Sequence, residues 1–360
     1  MLGALKRLAF VERLRAALRH DVDQTLKPLR KEVRRLSKEV EQLDLALRQT
    51  AERAARADRQ AAQVKSILVA NAAEQEAAVA RTLDGERVAA HVRHQIGTAP
   101  ILSEPFEHII VERLLPDDVY QLLLQAIPPL AFFSDTDPIK QDLPIPMEFG
   151  PAYHMRVWGF VDATLAQRII TPAVMARFHE PLQRHYDVIF GPGSRELANG
   201  LPPSTSGGRL MLRRPGYHLS PHRDPKRSLL TCLLYLAKPG DDEAHGTRLY
   251  RVTDDAEAHY KQTYYPEREG HPCELVKVVP FRPNSMLVFL NSKGAHGAGI
   301  PESAPATTER CSYQFYVAPD NAALAALLKS LPPDRREMWK NRNKVKSFGT
   351  FDSFEALEPF

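Results

Sequence analysis

Cysteine is scarce. Cys232, Cys273 and Cys311 are the only three in 360 residues, an odd number with no Cys-x-x-Cys, which argues against a disulfide framework or a zinc knuckle. Long apolar runs are missing too: none approaches the ~20 residues that span a bilayer, and no signal-peptide apolar stretch with a small-residue cleavage site stands at the N-terminus. Cytoplasmic residence in a reducing compartment is the resulting expectation. Charge of one sign is also lacking overall, since 48 Lys and Arg oppose 44 Asp and Glu. The small excess is concentrated: residues 1–98 hold 19 basic against 13 acidic side chains, leaving 29 against 31 in the remainder. Nothing global therefore argues for nucleic acid as a partner.

A length of 360 residues, at about 150 per domain, implies two or three units with ample material for a core. Leu2, Leu5, Leu8, Leu14 and Leu18 alternate with Lys6, Arg7, Arg13, Arg15 and Arg19, the pattern of a basic amphipathic helix. Such a helix packs on a partner chain in the ordinary case, and weak contact of residues 1–20 with an anionic membrane surface is the rival expectation. From Leu26 a 3-4 spacing then runs through Leu29, Val33, Leu36, Val40, Leu43, Leu47, Thr50, Ala54, Ala57, Ala61, Val64 and Leu68. A sustained 3.5-residue period keeps one stripe facing a partner helix, so a coiled coil that makes the protein a homo-oligomer is expected. Pro28 is expected only where a helix begins or kinks. Residues 71–98 stay helical in composition, and Gly97-Thr-Ala-Pro100 closes the region.

Past residue 98 the composition changes. Ile101 to Val111 reads as a strand, Pro116 to Leu124 as a helix, Pro-rich 128–151 as loop, Val157 to Val161 as a strand and Ile170 to Tyr186 as a helix. From Arg209 short strands follow one another at 209–214, 228–237, 247–252, 274–279, 285–290 and 310–317, the rhythm of a sandwich or jelly roll. A short helix over 321–329 and a basic run over 335–346 close the chain. The expected division is a helical oligomerisation region (1–98), a catalytic domain (99–320) and a C-terminal extension (321–360).

The stretch Pro221-His-Arg-Asp224 organises the rest. His222 and Asp224 are two apart, so an extended strand turns both side chains to one face. His296 follows 74 residues later in Gly-Ala-His-Gly, after the apolar run Ser285 to Leu290. Two His and one Asp form the 2-His-1-carboxylate set of a non-haem Fe(II) site with open coordination positions. Arg310 lies 14 residues beyond His296, suited to the next antiparallel strand, and offers the rigid two-pronged donor that a carboxylate needs. Ser312, two further on, faces the same side.

Pro215-Gly216, His222-Arg-Asp224, Thr231-Cys-Leu-Leu-Tyr-Leu236, Gly246-Thr-Arg-Leu-Tyr250, His296 and Arg310-Cys-Ser312 together resemble the 2-oxoglutarate and Fe(II)-dependent dioxygenases, in their prolyl-4-hydroxylase-like branch, over residues 101–318. The resemblance implies a mixed α+β fold whose core is a double-stranded β-helix (jelly roll). It implies Fe(II) held by His222, Asp224 and His296, with 2-oxoglutarate and O2 as cosubstrates. The far carboxylate of 2-oxoglutarate would be bound by Arg310, by Ser312 and, by motif, by Tyr235. Arg214 stands where the family has a cosubstrate-contacting tyrosine, and residues 253–274, with Tyr260, Tyr264 and Tyr265, form an insert that either covers the substrate or decorates the surface. The expected activity is hydroxylation of a second substrate with release of succinate and CO2. A degenerate oxygenase domain serving as a coiled-coil scaffold, and a zinc or manganese cupin-like enzyme, are the rivals. The substrate is not legible, and Arg209 and Arg248 are too generic to name it.

Overall fold

The computed structural model describes residues 2–70, 79–134, 136–255, 257–259 and 261–339, and the side chains of residues 2–9 and 68–70 lie outside that description. The helical reading of 71–78, the roles considered for Leu2, Leu5, Leu8, Leu68 and Tyr260, and the basic run beyond residue 339 therefore fall outside the described residues. The chain divides into two compact units, Met1–Val64 and Lys65–Phe360. No described helix is long and apolar enough to cross a membrane.

The first unit is built on one helix, α1 (Leu2–Ala70), which begins well before Pro28 and runs through it. Its side chains lie almost wholly in solvent, held locally by ion pairs one turn apart such as Arg48 with Asp44 at 2.8 Å. Leu26, Leu29, Val33, Leu36, Val40, Leu43 and Leu47 are all exposed, so the 3-4 stripe has no partner within the described chain.

The second unit mixes helices with antiparallel sheet. Asp84 caps α2 (Gly85–Thr98) by accepting the Glu86 and Arg87 N–H groups, and Val88, Val92 and Ile96 enter the core. The expected region boundary at residue 98 thus falls inside this unit. After β1 (His108–Val111) and α3 (Asp117–Gln125), the Pro-rich stretch read as loop contains β2 (Lys140–Pro144). Val157 to Val161, read as a strand from its β-branched and aromatic residues, instead lies in α4 (Ala152–Phe160) and its continuation, a wider helical stretch Val161–Ile170. The helical period decides it: Val157, Trp158, Val161 and Leu165 are all buried, and the Trp158 indole donates to Ala126 O at 2.6 Å. The helix expected over 170–186 is two, α5 (Thr171–Arg177) and α6 (His179–Phe190), followed by α7 (Arg195–Asn199).

The strands β3 (Pro203–Arg213), β4 (His218–His222), β5 (Leu230–Tyr235), β6 (Thr247–Val252), β7 (Cys273–Val279), β8 (Ser285–Leu290), β9 (Ala295–Gly299) and β10 (Arg310–Pro319) complete the unit with β1 and β2. α8 (Asn321–Ser330), capped by Asp320, and α9 (Pro333–Glu337) follow. One sheet has the order β1-β8-β5-β10-β3-β2, the other β4-β9-β6-β7, with antiparallel neighbours. Met211, Leu233, Leu287 and Phe289 of the larger sheet meet Leu249 and Val279 of the smaller one in a shared cluster. Each such side chain contributes about 1.5–3 kcal/mol by leaving water. Gly246 is needed where β6 begins beside the end of β7, because a Cβ there would stand 1.6 Å from Val279 O.

Candidate metal centre

β4 and β9 are antiparallel neighbours in which His222 lies opposite His296, so strand pairing alone brings two imidazoles from distant sequence together. Their rings are 4.2 Å apart. Asp224, two residues past His222, turns its carboxylate to the same point: His222 Nε2 is 3.8 Å from Oδ1 and His296 Nε2 is 3.6 Å from Oδ2. One ligand atom from each of the three lies within 4.8 Å of the others. All three residues are buried, with only 4–6% of their surface exposed.

Neighbouring groups fix the donors. His222 Nδ1 lies 3.0 Å from Ser220 O, and donation there leaves the Nε2 lone pair facing Asp224. The Thr231 hydroxyl donates to Asp224 Oδ2 at 2.7 Å and itself accepts from Asn291 Nδ2 at 2.8 Å, while the Tyr316 hydroxyl donates to Oδ1 at 3.3 Å. Burial pushes the carboxyl of Asp224 up, but His296, His222, the Thr231 hydroxyl and Arg209 outweigh it and hold the group below the ordinary carboxylate range. Burial first, and then His222, push His296 down to about 3. The cluster therefore offers two imidazole nitrogens and one carboxylate, the set that a divalent first-row metal accepts.

The larger sheet carries a buried cation on β10. Arg310 is 3% exposed, its Nε donates to His245 O at 2.7 Å and its Nη2 to Thr247 Oγ1 at 3.4 Å, and the guanidinium sits 5.4 Å from the Tyr235 and Phe281 rings. Among the described residues no carboxylate lies within ion-pair distance of it. Ser312 Oγ, on the same face, is buried with no hydrogen-bond partner. Tyr235 points its hydroxyl at Thr247 Oγ1, at 2.7 Å, and so braces the residue that contacts the arginine. Arg214 turns away to Glu309, at 2.9 Å, and to Pro138 O. His218 is exposed; His108 and His154 are buried beside backbone carbonyls, and burial lowers the pKa of both.

The insert after β6 is fastened to the cluster. Arg223, between His222 at the end of β4 and Asp224 just beyond it, pairs with Asp255, donates to Gly294 O and exchanges backbone hydrogen bonds with Tyr264 at 2.8 and 3.0 Å. Asp255 also accepts the Gly294 N–H at 2.7 Å, two residues before His296, and Tyr265 stacks its ring 5.7 Å from His222. Thr231, Asn291, Tyr316 and the Arg223–Asp255 pair were not singled out from sequence. Only Thr231 and Arg223 carried a signal, each as part of a quoted motif.

No protein-family model matches the chain, and no curated protein matches it. Solved structures to which it is similar include a prolyl-4-hydroxylase from Pseudomonas putida, at 14% identity over 65% of this chain and 100% of that one, with a TM-score of 0.35. HygX from Streptomyces hygroscopicus, solved with nickel and 2-oxoglutarate bound, shows 13% identity over 59% and 83% of the two chains and a TM-score of 0.35. A 2OG-Fe(II) oxygenase family oxidoreductase from Burkholderia pseudomallei shows 9% identity over 65% and 91%, with a TM-score of 0.36.

Proposed function

We infer that the two sheets form a double-stranded β-helix and that the protein is a 2-oxoglutarate and Fe(II)-dependent oxygenase. One observation carries the reading: a buried guanidinium with no carboxylate partner among the described residues and an orphaned serine hydroxyl stand on β10 of the larger sheet, whose Phe289 ring lies 4.6 Å from His296 of the His-Asp-His cluster on the smaller one. A buried charge without a counter-ion is costly, so the pocket is suited to an anion that arrives with the metal. A 2-oxo dicarboxylate fits both ends, chelating at the cluster and reaching the arginine with its far carboxylate.

His222, Asp224 and His296 would hold the metal, Arg310 the far carboxylate, and Ser312 would donate a further hydrogen bond to it. When bound, ferrous iron with 2-oxoglutarate and O2 supplies oxidative decarboxylation to succinate and CO2 coupled to oxidation of an unactivated C–H bond. The chain's own part is positional. Ser220 O and Thr231 hold the ligand orientations, Thr247 holds the arginine, and Leu233, Leu287 and Phe289 exclude water from the space between. The exposed 3.5-residue seam of α1 is self-matching, and its occupant in this reading is the same seam of a second copy.

Anaerobic titration with Fe(II) and 2-oxoglutarate tests the reading: an active centre gives a weak visible charge-transfer band that depends on both. Absence of the band would sink it and favour a scaffold built on a degenerate domain.

A further inference from the structure

The inner face of the larger sheet carries three arginines in one row of β3 and β10. Arg209, Met211 and Arg213 alternate onto the face that Met211 shares with the core, and across the strand pair Arg213 lies opposite Arg310 while Arg209 lies opposite Gln314. Four residues separate Arg209 from Arg213, roughly 13 Å at about 3.3 Å per residue. The two ends differ in their counter-charges. Arg213 is paired with Asp142 at 2.7 Å, and Arg310 is the cation assigned above to the cosubstrate. Arg209 has no carboxylate within ion-pair distance among the described residues. The carboxylates that act on it from farther away are Asp142, which Arg213 already holds, and Asp224, whose charge belongs to the metal.

Its surroundings form a polar subsite. Arg209 Nη2 donates to Gln314 Oε1 at 2.7 Å, Gln314 Nε2 donates to the Tyr316 hydroxyl at 3.1 Å, and that hydroxyl donates to Asp224 Oδ1. Arg209 Nε is buried with no hydrogen-bond partner, yet the residue as a whole is half-buried, so solvent reaches this end of β3 while Arg310 is sealed. With metal, Asp224, a dianionic cosubstrate and Arg310 counted together the formal charges cancel, and Arg209 is left over. A guanidinium offers a planar fork matched to carboxylate or phosphate oxygens.

We propose that Arg209, with Gln314 and Tyr316, is the subsite for an anionic group, a carboxylate or a phosphate monoester, on the substrate to be oxidised. The proposal rests on the oxygenase reading and narrows its substrate class. An anion held there lies a short hydrogen-bond chain from Asp224, which brings a C–H bond near that anion to the metal.

The test uses the full chain loaded with Mn(II) and 2-oxoglutarate, titrated calorimetrically with acetate, methyl phosphate and uncharged acetamide. One or both anions bind and acetamide does not, the tighter anion telling carboxylate from phosphate. Arg209→Met weakens anion binding by about tenfold or more, while Arg209→Lys, with one point charge and no fork, keeps part of it. Mn(II) and 2-oxoglutarate affinities in both variants stay within about threefold of wild type. Equal binding of acetamide, no binding of either anion, or anion binding untouched by Arg209→Met overturns the proposal. So does a tenfold loss of Mn(II) affinity in Arg209→Met, which would make Arg209 a positioning residue for Asp224. A wild-type protein that takes up neither Mn(II) nor 2-oxoglutarate overturns the oxygenase reading itself, a result distinct from any of these.

Discussion

The long helix and the sheet-bearing unit treat apolar side chains in opposite ways. In α1 Leu29, Val33, Leu36, Val40 and Leu43 stand exposed in a regular seam, whereas in the second unit Val88, Leu233, Leu287 and Phe289 are buried completely or nearly so. The helix has the period of packing with its seam exposed among the described residues, and the sheets have both period and packing. The buried clusters of the second unit are formed within a single chain, and the exposed seam of the helix is what the proposed pairing with a second copy would cover.

Mutations can break this contrast from either side. The largest effect is expected in the second unit: Asp224→Ala should lower divalent-metal affinity by more than about a hundredfold and abolish the charge-transfer band, with the oligomeric state in sedimentation unchanged. Arg310→Met should raise the 2-oxoglutarate concentration needed for half-saturation by about 10- to 100-fold while metal binding persists, as measured by the same titration. Thr231→Val, which removes one hydrogen bond from Asp224, should weaken metal binding by about tenfold. From the other side, if the seam pairs two copies as proposed, Leu36→Lys combined with Leu43→Lys should leave only monomers in sedimentation where the unaltered protein assembles. Metal and 2-oxoglutarate binding should then move by less than about twofold. Loss of binding in the seam variant, or loss of assembly in the Asp224 variant, would show that the two regions are not independent.

What the sequence disclosed follows the range of the interactions involved. The His222 and Asp224 pair is local, two residues apart where β4 ends at His222 rather than continuing through Asp224 as expected, and His296 and Arg310 were reachable because the intervening apolar runs read as strands. The long N-terminal helix with its exposed apolar stripe was legible for the same reason, since a period needs no partner to be seen. Val157 to Val161 was misread because a short apolar run looks the same in a buried strand and a buried helix, and only Ala126 O and the surrounding helices decide it. Tyr316 and Asn291 reach the centre through register across β10 and the end of β8, which no local pattern announces. Arg209 was visible and passed over, because a lone arginine acquires meaning only when its missing counter-charge can be counted.

Arg223 sits between two metal-facing residues while its own side chain is spent on Asp255 and Gly294. Through Asp255 and Tyr264 the segment after β6 is therefore less an interchangeable loop than a splint across the backbone on either side of the centre. An engineer who exchanged this segment to retarget the proposed oxygenase would disturb the backbone on both sides of the candidate metal ligands at the same stroke, unless the Arg223–Asp255 pair and the Tyr264 bridge were carried into the new segment.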